Sequence, residues 1–345
     1  MDHMNNYIAA DGRRRISDPL ASPPPYGVGY GSRAGTAGLD SSSSISRREF
    51  VRQTLLTGAA ACAAAQTIGC RALSPSREPH WQIGCYTRPW DQFDYRTALD
   101  GIAEAGFKYA GLMTAKGKSW VIITTDTSLD EAAEIGGEVR LRGLTLRSLY
   151  AGDFPVAKSV DAGIKGLRSL IDNCAACGAP NLMLGGVGEA RLYDDYFTVV
   201  REGCDYANAK GICLSMKPHG GLNATGAQCR QAVERVGRKN FRIWYDPGNI
   251  LYYSDGALDP VEDAASVNGL VVGVSVKDYR HPKDVMVTPG TGQVNFTGVF
   301  KRLKQGGFTR GPLIVECLTR GTAAQITAEA KKARVFLEEL TGQEA

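Results

Sequence analysis

From about residue 80 onward, apolar side chains follow two rhythms. Stretches with an apolar residue at every third or fourth position give way, eight times, to short runs dense in Val, Ile, Leu, Phe and Met. The first rhythm is that of a helix with one buried face, the second that of a strand buried on both faces. The runs are 82–86, 107–113, 144–150, 180–184, 212–217, 241–246, 270–277 and 312–316. Between them, Ala98, Ile102 and Ala105 share one helical face, as do Ile164, Leu167, Ile171 and Cys174, and Tyr196, Val199, Val200 and Cys204. Thr225 and Thr322 stand where two of the helices need an N-cap. Gly106, Gly143, Gly178, Gly211, Gly237, Gly269 and Gly307 or Gly311 precede strands, where a helix end turns through a left-handed residue.

Helix and strand in strict alternation imply a parallel sheet with right-handed crossovers. Eight repeats predict closure into an α/β fold, a single-domain (β/α)8 TIM barrel over residues 80–341. Such barrels place their chemistry at the carboxyl-terminal strand ends. Those ends carry Lys217 and His219, Asp246 and Asn249, Lys277 and Asp278, and Glu316.

The segment before the barrel has a different character. Residues 1–45 are rich in Gly, Ser, Pro and Arg, too poor in apolar surface to fold, and are expected to be a disordered N-terminal extension. Residues 46–70 begin Ser46-Arg47-Arg48-Glu49-Phe50 and continue into an Ala-rich apolar run. This resembles a twin-arginine export signal, too short and weakly apolar for a permanent membrane span. The resemblance implies the twin-arginine export machinery as a partner and a periplasmic location. Ala63-Ala64-Ala65 offers a cleavage site, and Cys70 an alternative lipid anchor.

Charge changes the picture by exclusion. Residues 1–80 hold nine Arg and six acids, so the remainder carries 31 basic against 30 acidic residues. A barrel so nearly neutral lacks the concentrated basic face that nucleic acid requires. Of nine cysteines, Cys62 and Cys70 fall in the leader. Cys174 and Cys177 form one Cys-x-x-Cys on a helix face, which without a second pair reads as buried apolar packing, not zinc. Gly185-Gly186-Val187-Gly188 lacks the spacing of a dinucleotide fingerprint.

The strand ends also carry the candidate chemistry. Lys217 and His219 stand two apart at the end of the fifth strand, on one face of an extended chain. Asp246-Pro247-Gly248-Asn249 closes the sixth, Ser275-Val276-Lys277-Asp278 the seventh, and Glu316 the eighth. A further segment, Pro289-Gly290-Thr291-Gly292-Gln293-Val294-Asn295-Phe296, precedes the last strand. This order resembles the xylose isomerase-like, or sugar phosphate isomerase/epimerase, TIM-barrel family, over essentially all of 81–340. Members that bind a divalent metal use a strand-five Glu, a strand-six Asp, a strand-seven His and a strand-eight Glu. Asp246 and Glu316 match this set, while Lys217 and Ser275 replace the other two ligands.

Two arrangements stay open on these residues. His219, Asp246 and Glu316 form a reduced site for a divalent cation such as Mn, Mg or Zn. Alternatively the Lys217 ammonium, which has no lone pair for a metal, supplies the positive charge itself. At the first strand end, Tyr86, Arg88 and Trp90 suit a sugar, which offers C–H faces to rings and hydroxyls to polar groups. The resemblance implies a carbohydrate-active isomerase or epimerase that removes a proton next to a carbonyl, with a small-molecule carbohydrate as partner. Glu316, Lys217, His219 and Asp246 are the catalytic candidates. Tyr86, Arg88, Trp90, Asn249, Lys277 and Asp278 are the substrate-binding candidates. Export favours an unphosphorylated sugar. Loss of a second carboxylate raises two alternatives, a 3-keto-sugar or 3-keto-glycoside lyase or hydratase, and a non-catalytic sugar-binding barrel.

Overall fold

The computed structural model describes residues 80–343. The segments expected to be a disordered extension (1–45) and a twin-arginine signal (46–70), with the alternative lipid site at Cys70, lie outside the described residues. Within them, eight strands close in sequence order into an all-parallel barrel. They are β1 (Trp81–Tyr86), β2 (Tyr109–Leu112), β3 (Thr145–Tyr150), β4 (Asn181–Leu184), β5 (Cys213–Met216), β6 (Phe241–Tyr245), β7 (Val271–Val276) and β8 (Gly311–Val315). The predicted TIM barrel is the observed fold.

The helices that cover the barrel include α1 (Tyr95–Glu104), α2 (Leu129–Leu141), α3 (Val160–Cys177), α4 (Tyr193–Ala209) and the final Ala323–Thr341. Both predicted threonine caps form, each as a capping box: Thr225 with Gln228 and Thr322 with Gln325. Helix α3 ends at Gly178, whose φ of 85° any Cβ would strain. Cys174 and Cys177 are buried in this helix as free thiols, as their spacing suggests.

Strand residues of one parity pack outward against the helices, among them Ile83, Cys85, Leu214, Ile243, Val274 and Val315. Residues of the other parity fill the barrel. Tyr86, Met113, Met183, Trp244 and Ile314 form an interior cluster of their own. The two large rings fit because facing positions are glycine. A Cβ on Gly111 would stand 2.2 Å from the Tyr86 ring, and one on Gly273 would stand 2.4 Å from the Trp244 ring. The interior also holds polar groups in pairs: the Ser148 and Ser215 hydroxyls both donate to Asn181 Oδ1, at 3.1 and 3.0 Å. This packed floor closes the barrel beneath its carboxyl-terminal mouth.

Candidate active site

The strands β5 to β8 stop one residue earlier than the apolar runs suggested. Lys217, Asp246, Lys277 and Glu316 are each the first residue beyond β5, β6, β7 and β8. Each follows, two positions on, an inward-facing residue: Ser215, Trp244, Ser275 and Ile314. The period of two therefore delivers four charged side chains to the axis of the mouth.

They meet there. Lys217 Nζ lies 2.7 Å from both Glu316 carboxylate oxygens and 3.3 Å from Asp246 Oδ2. Lys277 Nζ lies 2.8 Å from Asp246 Oδ2, 2.7 Å from Glu316 Oε1 and 2.9 Å from Asn249 Oδ1. All four charged groups are buried, at 0–1% exposure. Arg88 flanks them, 3.9 Å from Glu316 Oε1, with its Nε donating to Cys317 Sγ at 3.3 Å.

The local sequence fixes this geometry. Asp246 caps the short helix Pro247–Tyr253, with Pro at its first position. One carboxylate oxygen, Oδ1, accepts from the Asn249 backbone N–H at 3.0 Å, which leaves Oδ2 for the two lysines. Gly248 lets the Lys277 side chain pass, since a Cβ there would stand 2.8 Å from Lys277 Cγ. Asn249 spans the site, donating to the Pro218 carbonyl at 2.6 Å while accepting from Lys277. Asn223 donates to the Lys217 and Gly185 carbonyls at 3.1 and 3.2 Å, tying the β5 end to the β4 end.

Electrostatics divide the two lysines. Burial disfavours the Lys277 ammonium, but Asp246 and Glu316 outweigh it and hold Lys277 firmly charged. For Lys217, burial together with the neighbouring Lys277 outweighs the same two carboxylates, and its pKa falls below the ordinary lysine value. Proximity to carboxylates alone suggests the opposite; burial first, and then the second ammonium, reverse the sign. Burial would raise the Glu316 carboxyl, yet Lys217, Lys277 and Arg88 hold it well below the usual range. The His219 imidazole is pushed down to about 3, first by burial and then by Lys217 and Lys277, so it is neutral. It stands between the Tyr150 and Tyr253 rings, with centroids 6.3 and 5.9 Å away.

A divalent metal does not fit this arrangement. Among the described residues no three His, Cys, Asp or Glu side chains gather closely enough to hold one, so His219, Asp246 and Glu316 do not form the reduced site. The space between Asp246 and Glu316 is taken by two ammonium groups.

The substrate-binding candidates separate. Arg88 is at the mouth. Tyr86 is in the barrel floor, fully buried against Trp244, its ring centroid 6.4 Å away. Trp90 is not at the mouth: it turns into the helix layer, where a Cβ on Gly101 of α1 would stand 2.7 Å from its ring. Asn249 holds Lys277. The Asp278 carboxylate is used up by the following loop, accepting from the backbone N–H groups of Tyr279, Gly290, Gly292 and Val294 at 2.8–3.0 Å. Two contributors lacked a readable signal. Trp120, on the loop after β2, sits beneath the Arg88 guanidinium at 5.9 Å and is 39% exposed. Tyr253, at the end of its helix, packs on His219. Tyr150 was recognisable as the last residue of a strand with inward parity.

Residues 99–340 match the family model of xylose isomerase-like TIM barrels. Among solved structures, a D-psicose 3-epimerase in the presence of D-fructose is 17% identical, covering 76% of this chain and 99% of its own, with a TM-score of 0.61. A xylose isomerase domain protein from Planctomyces limnophilus is 19% identical over 76% of this chain and 97% of its own, with a TM-score of 0.58. A D-allulose 3-epimerase from Methylomonas sp. in complex with D-allulose is 18% identical over 75% and 97%, with a TM-score of 0.59. At these identities the likeness is one of fold. No curated protein matches the chain.

Proposed function

We propose, because this chain belongs to the xylose isomerase-like TIM-barrel family, that it is a carbohydrate-active isomerase or epimerase that enolises an unphosphorylated keto-sugar with ammonium groups in place of a metal. One observation carries this: the Lys217 and Lys277 ammonium positions lie between Asp246 and Glu316, within 3.3 Å of both carboxylates. Removing a proton next to a carbonyl needs an acceptor near that proton and positive charge at the oxygen where the enolate forms. Lys277 and Arg88 hold the oxygen's developing charge. The Lys217–Glu316 pair accepts the proton and returns it, to the neighbouring carbon in an isomerisation. Neutral His219 and the Trp120 ring bind hydroxyls and C–H faces of the sugar. The resemblance of residues 46–70 to a twin-arginine export signal supports an unphosphorylated substrate, since an exported enzyme meets sugars outside the cytoplasm.

A second reading is favoured by a specific distance. Lys217 and Glu316 touch at 2.7 Å, so no substrate carbon fits between them and both serve one face of the sugar. Chemistry on one face suits isomerisation, or β-elimination by a 3-keto-sugar lyase in which Lys277 protonates the leaving oxygen. Incubation of keto-sugars with the protein in D2O tests the reading. Deuterium at the carbon next to the carbonyl is the expected result. Saturable sugar binding with no deuterium uptake in any keto-sugar would leave the barrel a binding protein.

A further inference from the structure

The β4 sector of the mouth departs from the rule that fills its neighbours. Strands β5 to β8 each end one residue before an inward charged side chain, but the residue in that position after β4 is Gly185. Met183, two residues before it, points into the barrel, so a side chain at 185 would point into the mouth. The space is filled instead from the end of β3. A Cβ on Gly185 would stand 3.0 Å from the Tyr150 hydroxyl and 3.8 Å from Asp153 Oδ1. Gly152, at a φ of 72°, turns the chain between these two residues. A carboxylate just past β3 therefore takes the place of a side chain from β4.

Asp153 differs from the other acids of the strand ends. Asp246 and Glu316 are paired with the two lysines, Asp91 with Arg320 at 3.7 Å, and Glu189 with Arg191 at 2.6 Å. Asp153 is exposed, and among the described residues neither a cation nor a hydrogen bond offsets the crowding that pushes its carboxyl above the ordinary value. The titratable groups that sense it, Tyr150 and Tyr196, are held protonated, first by burial and then by Asp153 itself. In a ring of eight strands β4 lies directly across from β8, so Asp153, against Gly185, stands across the mouth from Glu316. Tyr150 stands between them, its hydroxyl sensing both carboxylates.

We propose that Asp153 is a second proton-transfer residue, serving the face of the keto-sugar opposite Glu316, and that the reaction is an epimerisation. The inference rests on the enolisation reading above and specifies the second face. Lys217 and Glu316 touch and serve one face only, and inverting a carbon needs a proton-transfer group on the other. Glu316 takes the proton from the carbon next to the carbonyl. The C–H pair becomes the C=C bond of the enolate, and the carbonyl π pair moves to oxygen, beside Lys277 and Arg88. The Asp153 carboxyl then gives its proton to the opposite face. The oxygen pair re-forms the carbonyl, and the C=C pair becomes the new C–H bond. Net, one proton leaves on Glu316 and one enters from Asp153, so the sugar changes configuration without oxidation or reduction. Asp153 regains a proton from solvent and Glu316 releases its own. In the reverse direction the two acids exchange roles, which suits an unpaired carboxyl at a mouth open to solvent.

Deuterium uptake and epimer formation, measured together on the wild type and on Asp153→Asn, separate the two faces. The probes are keto-sugar pairs that differ only at the carbon next to the carbonyl, D-fructose with D-psicose and D-tagatose with D-sorbose, each incubated singly in D2O. The wild type is expected to form the epimer, with deuterium at that carbon, from either member of a pair. Asp153→Asn keeps the size of a side chain that no hydrogen bond holds, and it should melt no lower than the wild type. In this variant epimer formation should fall at least about 10²-fold from both members. The member whose hydrogen faces Glu316 should still take up deuterium, without inversion. Undiminished epimerisation by the folded variant, or equal loss of epimerisation and deuterium uptake, would overturn the role of Asp153. So would deuterium uptake by the wild type without any epimer, which would leave the enolisation reading intact. No deuterium uptake by the wild type in any of these sugars would remove both.

Discussion

Lys217 Nζ sits 2.7 Å from both carboxylate oxygens of Glu316, a residue 99 positions further along the chain. The contact exists because β5 and β8, three strands apart in a closed barrel, each end one residue before an inward-facing charged side chain. Its chemical meaning lies in Lys277, which reaches the same Glu316 oxygen and the same Asp246 oxygen. Two ammonium groups competing for two carboxylates cannot be equivalent.

That inequivalence predicts different losses. Lys277→Met leaves two buried carboxylates without their charged partner and should cost about 3–5 kcal/mol. Lys217→Met removes the lysine whose charged form burial and Lys277 disfavour and should cost less, while activity falls by at least about 10²-fold, as loss of a proton-transfer group does. Urea unfolding and deuterium uptake, measured on both variants, check the pair of expectations. Equal destabilisation would mean that the two lysines hold the carboxylates alike.

His219 should shape stability in acid. Its folded pKa of about 3 lies below the ordinary value near 6.5, so the unfolded chain binds more protons between these limits. Stability is therefore lost as pH falls from about 6.5 towards about 3. Glu316, held low in the fold, adds to the loss as pH falls through the ordinary carboxylate range and below it. His219→Phe should remove part of the acid sensitivity, narrowing the difference in unfolding free energy between pH 7 and pH 4.5 by more than about 1 kcal/mol. Denaturation at the two pH values measures it.

Asp278 and Trp90 are expected to behave as structural residues. Asp278→Ala orphans four loop N–H groups and should cost about 3 kcal/mol or more. Trp90→Ala opens a cavity in the helix layer and should cost about 3–5 kcal/mol while leaving KM for the sugar unchanged. Trp120→Ala should do the reverse, raising KM with little effect on thermal stability. Thermal melts and initial rates separate the cases.

The leader carries its own expectation. Replacing Arg47 and Arg48 with lysine should hold the protein in the cytoplasm, followed by fractionation and blotting. Normal export of that variant would contradict a twin-arginine route.

Much of the barrel and half of the site were legible in the chain. Period-two alternation alone brings Lys217, Asp246, Lys277 and Glu316 to one mouth, because each strand's inward parity continues one residue past its end. The same rule failed at Trp90. Arg88 and Trp90 are two apart and would share a face in an extended chain, but they lie in a 3-10 turn, Arg88–Trp90, which sends Arg88 to the mouth and the ring into the helix layer. Asp278 was unreadable for a different reason. Its partners are backbone N–H groups, which have no residue identity to betray them. The sign of the Lys217 shift was also hidden, because it depends first on the depth of burial and then on Lys277 standing against the same two oxygens, neither of which strand order specifies.

The central claim is that ammonium groups do here what a metal would do. It is tested most directly by deuterium uptake into a keto-sugar by mature protein after exhaustive chelation, with metal content measured on the same sample. Undiminished uptake by metal-free protein, unchanged on adding Mn, Mg or Zn, is the predicted result. Uptake that disappears on chelation and returns with a stoichiometric divalent ion would contradict it.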